Sequence, residues 1–99
     1  AMDDISTLEE GKKCAELGAD VISTTLAGYT LESENSPEGP DYELLEALVK
    51  NIEKPVILEG RIWEPQEVKK AFALGAHCVV IGSAITRPQL ITKRFVEGI

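Results

Sequence analysis

The chain of 99 residues is poor in the side chains that build metal and thiol chemistry. It has one histidine, His77, and two cysteines, Cys14 and Cys78, with no CxxC spacing and no histidine cluster beside them. Structural metal sites need several such ligands at close spacing, so a metal centre is not expected. Both cysteines sit among Leu, Ala and Val, which reads as buried free thiols in a reducing cytoplasm. Basic residues are also scarce: ten Lys and Arg against seventeen Asp and Glu give a net charge of −7. A nucleic-acid partner normally calls for a basic patch, so none is expected. A small anionic ligand stays open, because a local site can be positive on an acidic protein. No apolar run approaches the roughly 18 residues that cross a bilayer, and no basic segment followed by an apolar core opens the chain. Neither a membrane span nor a signal peptide is therefore expected.

What the chain does have is a globular hydrophobic fraction of 43%, ordered as short β-branched runs alternating with helical patterns. Residues 2–5 read as the end of a strand. Ser6 and Thr7 are helix-capping types, Glu9 and Glu10 suit a first turn, and Gly18 suits the stop. Residues 20–24 form the next strand, and residues 26–40 a long loop with two prolines and two glycines. Asp41 caps a helix whose apolar face is Leu44, Leu45, Leu48 and Val49. Residues 55–58 are a strand. Pro65 opens a helix with an apolar stripe of Val68, Ala71, Phe72 and Leu74, which Gly75 ends. Residues 79–81 are the last strand, and Ile91, Phe95 and Val96 mark a last helix. A Leu-Gly-Ala junction leads into a strand twice, at Leu17-Gly18-Ala19 and Leu74-Gly75-Ala76.

The pattern is thus βα four times over. Near-continuous apolar strands covered by helices make a parallel sheet in an α/β fold. A small open doubly wound domain and half of a TIM (β/α)8 barrel both fit; four units in 99 residues is about 25 each, close to barrel pitch. A half-barrel leaves two open sheet edges and a bare inner face. It is expected either as part of a longer chain or as an assembly of half-barrels.

Ligands in parallel α/β folds sit beyond the C-terminal ends of the strands. The residues there are Asp4, Ser6, Thr24, Thr25, Gly28, Tyr29, Glu59, Gly60, Arg61, Gly82 and Ser83. Gly82-Ser83, followed by Arg87-Pro88, has the make-up of a phosphate loop: glycine lets backbone N–H groups approach an anion, and arginine adds a charge-assisted contact. The plainer alternative is a glycine turn with a surface arginine. Glu59 directly follows an apolar strand and suits general acid/base work or a sugar hydroxyl; otherwise it pairs with Arg61 or a lysine. Asp4 lines the site unless Asp3 is the one facing in, or unless it caps a helix. Thr24 and Thr25 are either ligands or β-forming packing residues. The segment opening at Gly28-Tyr29 is long enough for a lid. Trp63 either flanks the mouth or packs. His77, at a strand's start, is on the stability side and is expected to be non-catalytic.

Several stretches together carry a family pattern: residues 2–7 (MDDIST), 23–30 (STTLAGYT), 40–44 (PDYEL), 55–61 (PVILEGR) and 80–88 (VIGSAITRP), with Ile91 to Phe95 beyond. Over essentially its whole length the chain resembles the C-terminal half, βα units five to eight, of the N-acetylmannosamine-6-phosphate 2-epimerases, (β/α)8-barrel isomerases of sialic acid catabolism. The resemblance implies interconversion of N-acetylmannosamine 6-phosphate and N-acetylglucosamine 6-phosphate by proton removal and return at C2. It implies that Glu59 is the catalytic carboxylate, that Gly82, Ser83 and Arg87 grip the phosphate, and that Asp4, Thr25, Gly28, Tyr29, Gly60 and Arg61 bind the sugar phosphate. It implies a phosphorylated amino sugar as partner and neither metal nor nucleotide. The family's catalytic lysine belongs to the N-terminal half, so the chain is expected to need that half or to self-associate. Ser83 stands where the family commonly has Gly. Two rivals remain: a non-catalytic sugar-phosphate-binding half-barrel, and another phosphate-binding barrel enzyme, against which the Thr-Thr-Leu-Ala-Gly-Tyr segment argues.

Overall fold

The computed structural model describes residues 1–24 and 39–99. The described elements are β1 (Met2–Asp4), α1 (Leu8–Glu16), β2 (Val21–Ser23), α2 (Tyr42–Asn51), β3 (Val56–Glu59), α3 (Pro65–Ala73), β4 (Cys78–Val80), α4 (Ser83–Thr86) and α5 (Pro88–Glu97). The helix starts follow from their capping residues. Thr7 caps α1: its Oγ1 accepts from the Glu10 N–H at 3.3 Å, and the Glu10 carboxylate accepts from the N–H groups of Ser6 (2.9 Å) and Thr7 (3.2 Å). This reciprocal capping box satisfies donors that a helix start otherwise leaves open. Asp41 does the same for α2, accepting from the Leu44 N–H at 3.0 Å. In α3, the Glu67 carboxylate accepts from the Trp63 and Glu64 N–H groups, both at 2.8 Å, with Pro65 in the first turn. Gly75 stops α3 at φ +104, and a Cβ there would meet Val49 Cγ1 at 2.8 Å, so both the turn and the packing of α2 require glycine.

The four strands are parallel and lie in chain order, β1-β2-β3-β4. The order never reverses, so the sheet has no switch point of the doubly wound kind. Because side chains alternate across a strand, the register sorts them into two sets. Asp3, Ile5, Ile22, Val56, Leu58 and Val79 share one side; Met2, Asp4, Val21, Ser23, Ile57, Glu59, Cys78 and Val80 share the other. The helices cover the first side. Ile22, Leu58, Leu45 and Leu48 are fully buried there and pack with Ile5, Leu44, Val56 and Ala71. Complete burial of each such aliphatic side chain contributes about 1.5–3 kcal/mol.

Four expectations change. A four-residue helix, α4, occupies what reads in sequence as loop; Thr86 Oγ1 donates back to the Gly82 carbonyl at 3.0 Å and closes its turn. Cys78 is exposed rather than buried, because strand alternation turns it to the side that no described helix covers, whereas Cys14 is half-buried against the core. Phe72 lies off the buried stripe of α3 and is 51% exposed. The apolar residues of α5 are likewise not buried: Phe95 and Val96 are 72% and 62% exposed, since α5 follows the last strand and rests on α4 and on the loop before α3.

Candidate active site

The C-terminal ends of β3 and β4 meet in one depression of about 250 Å³, lined by Glu59, Gly60, Arg61, Ile62, Trp63, Val80, Gly82, Ser83 and Ala84. Its lining joins two consecutive βα turns because Glu59 and Val80 are register partners on the uncovered side of the sheet. Glu59 is the last residue of β3 and half-buried. Among the described lining residues it is the one carboxylate, and Arg61 the one cation. The strand-to-helix turn between them has unusual backbone. Gly60 has φ +109, and Arg61 has φ +59, the one non-glycine residue described in the left-handed region. That conformation costs a side-chain-bearing residue about 1–2 kcal/mol. A strained arginine at a strand end is the kind of feature that gathers at ligand sites.

On the β4 side, a Cβ built on Gly82 would meet nothing within 4 Å. Glycine at this position therefore leaves the mouth open. Ser83 begins α4 and is exposed beside it. The floor on the β3 side is rigid: the Trp63 N–H is held by Glu67, and the Trp63 carbonyl accepts from Arg94 Nη1 at 3.1 Å. Arg94 also pairs with Glu64 at 3.7 Å. Trp63 and Ile62 are shared with a second, apolar groove of about 510 Å³ that reaches Ile85, Ile91 and Phe95.

Of the residues singled out in the sequence, the structure brings together Glu59, Gly60, Arg61, Gly82 and Ser83. Asp4 faces the same side of the sheet but lies two strands away at the β1 edge, exposed. Asp3 is settled as the other side: its carboxylate lies beside Cys14 of α1, where burial first and then Asp3 push the thiol pKa up. Arg87 lies outside the lining, exposed at the α4–α5 junction. Thr25, Gly28, Tyr29 and most of the long segment read as a lid lie outside the described residues. Ser6 is consumed by the capping box, its hydroxyl donating to Glu10 and helping to hold that carboxyl below the usual range. His77 immediately precedes β4, at the opposite end from the depression, its N–H donating to the Val56 carbonyl. Among the described residues no group of three or more His, Cys, Asp or Glu is gathered, and no helix is long and apolar enough to cross a membrane.

Thr24, open in the sequence between ligand and packing residue, is fully buried in the structure. Its hydroxyl bonds both backbone groups of Glu59, accepting from the N–H and donating to the carbonyl at 3.1 Å each. Counting alternation onward from the buried Ile22 would have put Thr24 on the covered side. The partner, 35 positions away, is visible only once β2 and β3 pair.

A family model described as "Putative N-acetylmannosamine-6-phosphate epimerase" matches residues 1–99. A curated relative from Caldanaerobacter subterraneus subsp. tengcongensis, named "Putative N-acetylmannosamine-6-phosphate 2-epimerase", is 59% identical over 100 residues, covering 99% of this chain and 41% of the relative. A relative of the same name from Clostridium perfringens is 60% identical over 97 residues, covering 98% and 43%. The solved structure of the N-acetylmannosamine-6-phosphate 2-epimerase from Clostridium perfringens superposes on all of this chain and on 43% of its own, with a TM-score of 0.92 and 58% identity. The chain thus spans under half the length of these relatives.

Proposed function

The chain belongs to the N-acetylmannosamine-6-phosphate epimerase family and has the fold of half a (β/α)8 barrel, and on that premise we propose that it supplies the phosphate grip and the catalytic carboxylate of such an epimerase, as βα units five to eight. The observation that carries this reading is the meeting of Glu59-Gly60-Arg61 and Gly82-Ser83 around one depression. Phosphate would sit against the backbone N–H groups after Gly82 and the Arg61 guanidinium, a charge-assisted arrangement. Arg87 is the outer contact, one short helix further on. With the phosphate anchored there, the opened sugar would lie along the uncovered side of the sheet, with its C1 aldehyde and C2 near Glu59 and its far end toward Asp4.

The reaction removes the proton from C2, which the neighbouring aldehyde acidifies, and returns one to the opposite face. In this reading Glu59 carries protons to and from the sugar oxygens during ring opening and enolate formation, a role suited to a carboxylate on a rigid strand. The C2 base, a lysine in the family pattern, comes from the other half of the barrel. A cytoplasmic location suits a phosphorylated substrate, and no metal or nucleotide enters the proposal.

Trp63, the single tryptophan, lines the depression and reports on it. Titration of the chain with N-acetylmannosamine 6-phosphate or inorganic phosphate should change its fluorescence saturably; unphosphorylated N-acetylmannosamine should not. Arg61→Gly should weaken that binding by about tenfold or more, the loss of one charge-assisted contact, while raising stability, because glycine relieves the left-handed backbone. Equal responses to the phosphorylated and unphosphorylated sugars would remove the phosphate grip.

A further inference from the structure

We propose that Thr24 is a positioning residue for Glu59: its hydroxyl clamps the Glu59 backbone and thereby aims the carboxylate into the site. The inference rests on the reading of Glu59 as the reacting carboxylate. A hydroxyl has one donor and acceptor capacity besides, and Thr24 spends both on one residue, accepting from the Glu59 N–H and donating to the Glu59 carbonyl, each at 3.1 Å. The regular β2–β3 ladder is still running one step earlier, where the Thr24 N–H donates to the Ile57 carbonyl at 3.0 Å. At the next step the Thr24 side chain, in place of its main chain, receives the Glu59 N–H. The clamp therefore takes over where the ladder ends.

Its place matters because the next two residues, Gly60 and Arg61, both have positive φ. Immediately beyond Glu59 the chain leaves sheet geometry, and on the β2 side the Thr24 hydroxyl meets both Glu59 backbone groups just before that turn. Two bonds from a fully buried side chain fix the two peptide planes that flank the Glu59 Cα, one bond to each, and with them the Cα–Cβ direction toward the uncovered side. Threonine suits the task, since its β-branch restricts χ1 and keeps the hydroxyl in one orientation. Valine keeps the shape and removes both bonds; serine keeps the bonds on a looser rotor.

The test uses a full-length epimerase carrying this segment, with N-acetylmannosamine 6-phosphate as substrate. Thr24→Val should lower kcat by about tenfold or more, the scale of a small misplacement of a catalytic group, and leave KM in place; Thr24→Ser should recover most of the rate. In a Glu59→Gln background, Thr24→Val should cost little further, because the clamp acts through Glu59. A full additional loss there, a fall in KM-determined binding alone, or a serine variant as slow as the valine one would overturn the proposal. Glu59→Gln that keeps full activity would instead remove Glu59 from the chemistry, and Thr24 with it. Amide hydrogen exchange covers a valine variant that does not fold: in the unaltered protein the Glu59 N–H should be protected to the degree of the Thr24 N–H, and free exchange sinks the clamp.

Discussion

The two sides of the β-sheet are built from the same strands and differ in almost every physical respect. On the side covered by α1, α2 and α3, residues from Ile5 to Leu58 are buried and aliphatic, and they form the core of the described chain. On the other side Asp4, Glu59 and Cys78 stand beside Ile57, Val21 and Val80, and no described helix lies over them. The mixture is too polar for a second core and too apolar for a free surface. It suits the interior of a barrel, where layered aliphatic side chains give way to reacting groups at the strand ends. Buried aliphatic packing is thus concentrated on one side and the polar strand-end depression at the rim of the other.

That contrast can be broken most forcefully in the core. Leu45→Ala, at a site with no exposed surface, should cost about 2–5 kcal/mol in urea unfolding, a transfer term plus a cavity. Ile57→Ala, one residue off the covered side, should cost clearly less in this chain and approach the Leu45 value when the complementary half-barrel is supplied. Equal losses in the chain alone would mean that the two sides are not energetically distinct.

The cysteines offer a subtler comparison. Cys78 is exposed on the uncovered side, while Cys14 is half-buried with its thiol pKa pushed up by burial and then by Asp3. A disulfide reagent near neutral pH should modify Cys78 more than about tenfold faster than Cys14, since the thiolate reacts and access controls it. Adding a complementary half-barrel should protect Cys78 and leave Cys14 unchanged. If Cys78 stays reactive in the closed protein, the uncovered side is not the barrel interior.

The smallest expected effect lies in the α1 cap. Hydrogen bonds, the Ser6 hydroxyl first, hold the Glu10 carboxyl below its usual range. A pKa lowered in the folded state adds stability above the unfolded value, and that stability is lost as pH falls through the folded one. Glu10→Gln, which can still accept in the capping box, should cost about 0.3–1 kcal/mol at neutral pH, the worth of a charge at a helix start. The unfolding midpoint should then vary less between neutral and acidic pH than in the unaltered chain. An unchanged acid limb would place that dependence elsewhere.

Much of this was open to reading from the residues. The caps at Thr7 and Asp41, the stops at Gly18 and Gly75 and the four β-branched runs are local signals, and each element formed where its signal stood. Glu59, Gly60, Arg61, Gly82 and Ser83 stand out by the same logic, as the first residues after apolar strands, and the structure brings them to one depression. The helix α4 was missed because four residues carry no period to detect. The exposure of Phe72 and Phe95 was missed because an apolar side chain announces burial but not whether a neighbouring element will arrive to cover it.

By itself the sequence determined which segments become strands and helices, which polar residues end up at the strand tips, and the family to which the chain belongs. These follow from short-range sterics, capping chemistry and hydrophobic period, all written within a few residues. Only the tertiary structure decided that Asp3 turns to a helix and Asp4 away from it, that two strand ends share one depression, and that a buried threonine just after β2 bonds the backbone of a glutamate on β3. Each of those depends on strand register. Register sets partners far apart in the chain, and a slip of one residue would send every side chain to the other side of the sheet.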